Sequence, residues 1–506
     1  MIKIDGNSLS IEDVSAVSRN DEQVELAAES VGKINRSRDF VEKILKENKT
    51  VYGINTGFGA LANTFISKED STKLQENLIR SHAVCVGPPL AEDIVRGIML
   101  LRANALTKGY SGVRKELIEF LVQLLNKKVY PYIPSQGSVG ASGDLAPLAH
   151  LALVIMGEGE CLEEGKRLPA DEVLAKKGLK PLKLLAKEGL GLINGTQMMS
   201  AIGCLVVADA ELLLKNAQVA GSMSLEALKG TARAFDEKIH ALRPHPGQTR
   251  IAANIRKLIE DSEIIASHVN CERVQDAYTL RCMPQVLGPI ADITGYARNV
   301  LTIEINSATD NPLVFPEEEE VISGGNFHGE PLAFIMDYLC IALAEIASIS
   351  ERTTDRLVNP HVSGLPPFLS SKSGLNSGFM ITQYTAAALV SENKVLAHPS
   401  SVDSIPTSAG QEDHVSMGAI AARNAAAIVK NVQQVMAIEM LCAAQGIDFQ
   451  ELAPGAGTKA AHRVIREHVS HLEEDRVLYK DMEKVRELVV SGAIVDAVEE
   501  AVGAIE

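Results

Sequence analysis

Five long stretches of apolar residues at helical spacing, 197–215, 284–305, 331–351, 379–396 and 415–444, limit what this chain can fold into more than any other feature. Apolar side chains at three- and four-residue steps fall on one face of a helix. A long helix cannot cover such a face by itself, so the five are candidates for a bundle. Shorter helical patterns precede them at 75–82, 93–106 and 113–126, bounded by Gly-Pro or Lys-Gly breaks. Strand signals are few, at 1–4 and around 161–168, where Glu163-Glu164-Gly165-Lys166 reads as a hairpin turn. The expected fold is mainly α: a long central helix bundle joined to a mixed, mostly helical N-terminal region. The expected division is 1–196 and 197–506, two closely packed regions with a soft boundary near Asn194 and no flexible linker. The irregular segment 359–377, with Gly364-Leu365-Pro366-Pro367 at its centre, reads as a long and functional loop.

Charge and cysteine content narrow the function classes. Lys plus Arg total 49 against 65 for Asp plus Glu, a net charge of -16 without a long basic run, so neither nucleic acid nor an anionic membrane is an expected partner. The apolar run 333–349 carries Asp337 and Glu345, which makes it a buried helix rather than a membrane span. Met1-Ile2-Lys3-Ile4-Asp5-Gly6 lacks the basic-then-apolar order of a secretory signal. Seven cysteines (Cys85, Cys161, Cys204, Cys271, Cys282, Cys340 and Cys442), odd in number and without a Cys-x-x-Cys pair, fit a reduced cytoplasm. No His-Glu-x-x-His or Cys-His cluster suggests a metal.

The chemistry is concentrated in Gly140-Ala141-Ser142-Gly143-Asp144. Most Ala-Ser-Gly tripeptides are plain turns. Here Gly137, Gly140 and Gly143 recur at three-residue spacing after Tyr130-Pro131-Tyr132-Ile133-Pro134, and an apolar stretch follows from Leu145 to Met156, so a rigid irregular loop feeds a buried helix. Small residues permit the Gly143 nitrogen to approach the Ala141 carbonyl carbon. Cyclisation there, with loss of the Ser142 hydroxyl as water, would make a 4-methylidene-imidazol-5-one. Such a ring is an electrophile of a kind that no ordinary side chain supplies.

The run Gly137 to His150, Gly-Ser-Val-Gly-Ala-Ser-Gly-Asp-Leu-Ala-Pro-Leu-Ala-His, resembles the signature of the aromatic amino acid ammonia-lyases. The resemblance extends from about Tyr52 to Met417 with its motifs in consistent order, and is weakest in the first fifty residues and after Leu441. It implies an almost all-helical ammonia-lyase/fumarase-aspartase-like fold, a ring formed autocatalytically from Ala141, Ser142 and Gly143, no external cofactor, and a homotetramer whose active sites draw on several subunits.

The same resemblance implies roles for further residues. Tyr52 heads the glycine-punctuated segment Tyr52-Gly53-Ile54-Asn55-Thr56-Gly57-Phe58-Gly59, which lacks the spacing of a dinucleotide or phosphate loop and is implied to be a mobile loop whose phenol removes the substrate's β-proton. Phenols ionise near pH 10 in water, about three units too high for a base at neutrality, so positive potential, as from helix amino termini, is required. Asn194 is implied to orient the ring and the substrate amine, Arg281 to hold the carboxylate in a bidentate fork, Gln275 and Tyr278 to complete that wall, and Phe327 to line the pocket.

Two motifs bear on the substrate. Family members acting on phenylalanine tend to carry Phe-Leu at one position, those acting on tyrosine His-Leu, and those acting on histidine Ser-His; this chain has Ser81-His82. Members acting on phenylalanine or tyrosine usually have an amide in an Asn-Gln-Asp pattern where this chain has Gln411-Glu412-Asp413-His414. A carboxylate can accept an imidazole N–H and is a poor neighbour for a phenyl ring. The expected reaction is therefore elimination of ammonia from L-histidine to give trans-urocanate. Phenylalanine or tyrosine deamination, a 2,3-aminomutase and a non-catalytic helical assembly protein remain as alternatives at this point.

Overall fold

The computed structural model describes residues 1–506 apart from 48, 68–69 and 270–272. Cys271 lies outside the described residues, and the other six cysteines form no disulfide. The fold is mainly α, as the patterning predicts, with four small two-stranded sheets among the described residues.

The five long runs become the helices Gln197–Ala227, Met283–Glu304, Glu330–Val358, Met380–Leu396 and Gly418–Asp448. The first runs a dozen residues beyond its expected end because Asn216 and Gln218, which interrupt the apolar pattern, are fully buried and donate to the carbonyls of Leu212 and Leu214 one turn back. The last starts three residues late, since Met417 holds a left-handed φ of 55° that no helix can contain. Two of the five, Gln197–Ala227 and Glu330–Val358, have the length and apolarity to cross a membrane, but their most apolar windows are 78% and 61% buried within the protein, as in core helices.

The chain divides into two compact units. The first comprises Met1–Ala208, Ala297–Asp337 and Pro399–Arg423. Its opening strand Ile2–Ile4 pairs in parallel with Val24–Leu26 across a helix that starts in a Ser10/Asp13 capping box. The predicted hairpin forms between Glu160–Glu163 and Lys166–Pro169, with Glu164 and Gly165 at left-handed φ of 50° and 76° in the two-residue turn. The pairing of Val86–Pro89 with Pro134–Gln136 matters more for function. It ties the end of the Ser71–His82 helix to the start of the glycine-rich loop, bringing together residues fifty positions apart. The Leu145–Ile155 helix leaves that loop with Leu148, Leu151, Ala152, Val154 and Ile155 all fully buried, and each large apolar side chain so removed from water contributes about 2 kcal/mol.

The second unit comprises Asp209–Tyr296, Tyr338–His398 and Asn424–Glu506. Its core packs Met223, Leu225, Ile346, Met436 and Met440, all fully buried, and within it Ser224 donates to Glu439 at 2.9 Å. At its C-terminal end the Asp448 carboxylate joins three partners, His462 at 2.6 Å and His471 and Arg466 at 2.7 Å each. The segment 359–377 belongs to this unit and contains the short helices Pro360–Ser363 and Pro367–Leu369. The next residues are pinned where the amides of Ser377 and Gly378 donate to Asp475.

Candidate active site

Gly140 and Gly143 both take left-handed φ, 66° and 73°, and neither position has room for a side chain. A Cβ on Gly143 would lie 2.2 Å from the Gly195 carbonyl oxygen, and one on Gly140 would lie 2.2 Å from the Ser416 hydroxyl oxygen. The loop is compressed from two sides. On one, the Asp144 amide donates to Gly195 O at 2.7 Å, and Asn194 Nδ2 donates to Ser142 O at 2.9 Å. On the other, the Met417 amide donates to Val139 O at 2.9 Å and the Ser416 hydroxyl to Gly140 O at 3.1 Å, while Ala141 packs on Val415 and Met417.

Asp144 anchors the first side. Fully buried, it accepts from the amides of Met198 and Met199 at 2.9 and 3.0 Å, so its carboxyl serves the otherwise unpaired first turn of the Gln197–Ala227 helix. Burial outweighs those hydrogen bonds and pushes its pKa up to about 7.

A cavity of about 1270 Å³ opens above Ser142 and is lined by Tyr52, His82, Ala141, Ser142, Asn194, Phe327 and Glu412 among others. Six separate stretches of sequence thus converge on one concave surface. Tyr52 sits where Gly53, at φ 74°, turns the chain so closely against Leu190 and Pro312 that a Cβ would come within 2.8 Å of both. Its phenol oxygen accepts from the Gly59 amide at 3.4 Å. His82, the last residue of its helix, has Nδ1 3.0 Å from the Ser81 hydroxyl, and burial lowers its pKa against the raising effects of the Leu78 backbone and the Glu412 charge. Burial thus favours the neutral imidazole, which can both donate and accept. Glu412 is not the helix-start charge that such a run ordinarily supplies, because the helix begins six residues later. It is held in a bridge with Thr407, whose hydroxyl donates to Oε2 at 2.8 Å, while the Ser142 hydroxyl donates to Oε1 at 3.0 Å.

Asn194, buried and at the end of a short helix, has its Oδ1 without a hydrogen-bond partner among the described residues. Gly143 lies beneath Ser142, in an isolated bridge with Gly195. Gln275, Tyr278 and Arg281 belong to the second unit and do not line this cavity. Gln275 and Tyr278 are exposed, and the Arg281 guanidinium lies 4.6 Å from the centre of the Tyr278 ring.

Sequence reasoning missed Thr407, Ser416 and Arg102. The first two are small polar residues in irregular segments and leave no pattern. Arg102 did leave one, a charge in the middle of the apolar run Ile98-Met99-Leu100-Leu101-Arg102-Ala103. It is fully buried, with Nη1 donating to Asn194 O and to Gln197 Oε1 at 2.9 Å each.

A glycine-flanked tripeptide at the floor of a cavity, with a phenol, an imidazole, a carboxamide and a carboxylate around it, makes this the candidate active site of the chain. The family model for the aromatic amino acid lyases matches residues 9–467. The chain is 55% identical over 502 residues to histidine ammonia-lyase of Alkaliphilus oremlandii, covering 99% of both sequences. The crystal structure of histidine ammonia-lyase from Trypanosoma cruzi superposes with a TM-score of 0.93 at 45% identity, covering 99% of this chain and 95% of that one. Tyrosine aminomutase from Streptomyces globisporus superposes equally well, with a TM-score of 0.95 over the whole of both chains, but at 38% identity. The chain belongs to the aromatic amino acid lyase family.

Proposed function

We propose that this protein eliminates ammonia from L-histidine to give trans-urocanate, as a cytoplasmic carbon–nitrogen lyase. The observation that carries the reading is the placing of His82 and Glu412 on the same cavity wall system as Ser142, with Glu412 within hydrogen-bond distance of the Ser142 hydroxyl. The names of the full-length relatives support it.

The residues present fit a methylidene-imidazolone made from Ala141, Ser142 and Gly143. The absence of room for a Cβ at Gly140 and Gly143 suits a chain folded back on itself, and the unpartnered Asn194 Oδ1 supplies an acceptor beside it. The ring supplies an electrophilic alkene carbon. Everything else falls to the chain's own side chains. Tyr52 takes the β-proton. Asn194 orients the amine through its Oδ1. His82 and Glu412 hold the imidazole. Dehydration of Ser142 removes the hydroxyl that donates to Glu412 Oε1, which frees that oxygen for an imidazole N–H.

Gln275, Tyr278 and Arg281 complete the site from a second copy of the chain in a homotetramer, Arg281 gripping the substrate carboxylate. The size of the cavity supports this, since about 1270 Å³ exceeds the range of ordinary small-molecule pockets and is far more than one amino acid fills.

The test is to incubate the purified protein separately with histidine, phenylalanine and tyrosine, following the conjugated acrylate by its absorbance and the protein by intact mass. Urocanate from histidine, with a chain lighter by two waters, is expected. A faster reaction with phenylalanine, or a β-amino acid product, would overturn the assignment.

A further inference from the structure

Arg102 is an expensive residue in its position. Its side chain is fully buried, its Nε and Nη2 have no hydrogen-bond partner, and it forms no ion pair among the described residues. The nearby carboxylate of Asp310 is already taken by Lys187, whose Nζ lies 2.8 Å away, and by the Asn311 amide at 2.7 Å. Lys187 and Asp310 are themselves 0% and 1% exposed, so two buried cations share one buried anion. A methionine or leucine would fill such a position in a helix at far lower desolvation cost.

What the guanidinium does make is one contact with a direct line to the tripeptide. Nη1 donates to the Asn194 carbonyl at 2.9 Å, and the approach is so close that a Cβ on Gly195 would come 2.4 Å from that nitrogen. Residues 194 and 195 are in turn what press on the loop, through Asn194 Nδ2 on Ser142 O, Asp144 N on Gly195 O, and the contact of Gly143 with Gly195 O. Gln197 braces the arrangement, accepting from Arg102 and donating to Thr309 at 2.8 Å.

We propose that Arg102 is a positioning residue for self-cyclisation: it clamps the Asn194–Gly195 peptide so that this peptide holds Gly143 against Ala141. The inference rests on the reading of Ala141-Ser142-Gly143 as the precursor of the ring. In the step it serves, the Gly143 nitrogen bonds to the Ala141 carbonyl carbon. That carbonyl oxygen leaves as water with the amide protons of Gly143 and Ser142, and a double bond forms between the Ala141 carbon and the Ser142 nitrogen. The Ser142 α-proton and hydroxyl then leave as the second water. No oxidant or reductant is involved. Arg102 touches none of these atoms and acts only by removing the freedom of the peptide that does the pressing.

The experiment is intact-mass spectrometry of newly synthesised full-length chain sampled over time, for wild type, R102M and R102K, with circular dichroism and light scattering to establish that each has the wild-type fold and size. Wild type should lose two waters completely. R102M should fold yet lose them roughly tenfold to a hundredfold more slowly, the effect of removing one charge-assisted hydrogen bond, and R102K, which keeps a cationic donor, should fall between. Folded R102M that cyclises at the wild-type rate overturns the proposal. So does failure of both variants to fold, which would make Arg102 a residue of general stability. A wild-type chain that never loses water defeats the functional reading instead, and the two failures are thereby distinguished.

Discussion

Ser142 and Glu412 are joined by a hydrogen bond of 3.0 Å, and each carries a separate prediction. Ser142→Ala cannot form the alkene, so its intact mass should show at most the loss of one water and its turnover of histidine should fall by about three orders of magnitude or more. Glu412→Gln should keep the ring, as intact mass would show. Losing a charge-assisted hydrogen bond worth about 1.5 to 3 kcal/mol should lower its kcat/KM for histidine roughly tenfold to a hundredfold. Combining it with His82→Phe should move the relative preference towards phenylalanine, because the double change replaces the imidazole with a phenyl ring and the carboxylate with an uncharged amide. Should Glu412→Gln deaminate histidine with unchanged kcat and KM, Glu412 has no part in substrate choice.

Two carboxylates outside the site, the half-buried Asp448 and the buried Glu439, both in the second unit, tie helices together and respond to pH with opposite sign. Asp448, at the end of the Gly418–Asp448 helix, is pulled down to about 2 by His462, His471 and Arg466 despite its burial. Its unfolded value is near 3.8, so the stability it confers is present above that value and drains away as pH falls towards 2. Protection factors against hydrogen exchange in the Ala456–His468 helix, referenced to the intrinsic rate at each pH, should therefore fall on acidification in wild type. In Asp448→Asn they should already be low at neutral pH, since removing one member of such a cluster costs about 3 kcal/mol. Glu439 is the reverse case. Burial raises it to about 7 against the hydrogen bond from Ser224. Its favourable contribution is complete below the unfolded value of 4.5 and is lost as pH climbs through 7. Glu439→Gln keeps a hydrogen-bond acceptor without the charge, so denaturant melts should find its stability relative to wild type improving from pH 5 to pH 8.

On the scale of the whole molecule, the single chain leaves large apolar side chains exposed on its long helices, with Tyr338, Ile341, Ile381, Tyr384 and Val395 between 47% and 68% accessible. Exposed apolar patches of this kind mark association surfaces. Light scattering should give a tetramer, and an active monomer would contradict the shared site. A sharper check is complementation. Tyr52→Phe and Arg281→Met chains should each be inactive alone, whereas assemblies containing both should recover part of the activity, because some sites then combine an intact Tyr52 with an intact Arg281. Absence of recovery in demonstrably mixed tetramers would place both residues in one chain's site.

Local sequence determined a good deal by itself. Helical periodicity located all five long helices to within a few residues at most ends, since an apolar face has to be covered wherever it occurs. The turn at Glu164-Gly165 was legible because its backbone conformation favours glycine, and the cavity residues Tyr52, His82, Ser142, Asn194, Phe327 and Glu412 were legible through motif resemblance. Tertiary structure decided the rest. Asn216 and Gln218 look like a helix end until their side chains are seen to bond back to their own helix. Glu412 looks like a helix-start charge until Thr407 and Ser142 are found on its two oxygens. The compression at Gly143 comes from Gly195, Asp144 and Arg102, residues joined by hydrogen bonds and close contact across up to ninety positions of chain. Periodicity records what each residue needs from water, which is local, whereas strain and hydrogen-bond partnership depend on which distant segment arrives, and only the folded chain specifies that.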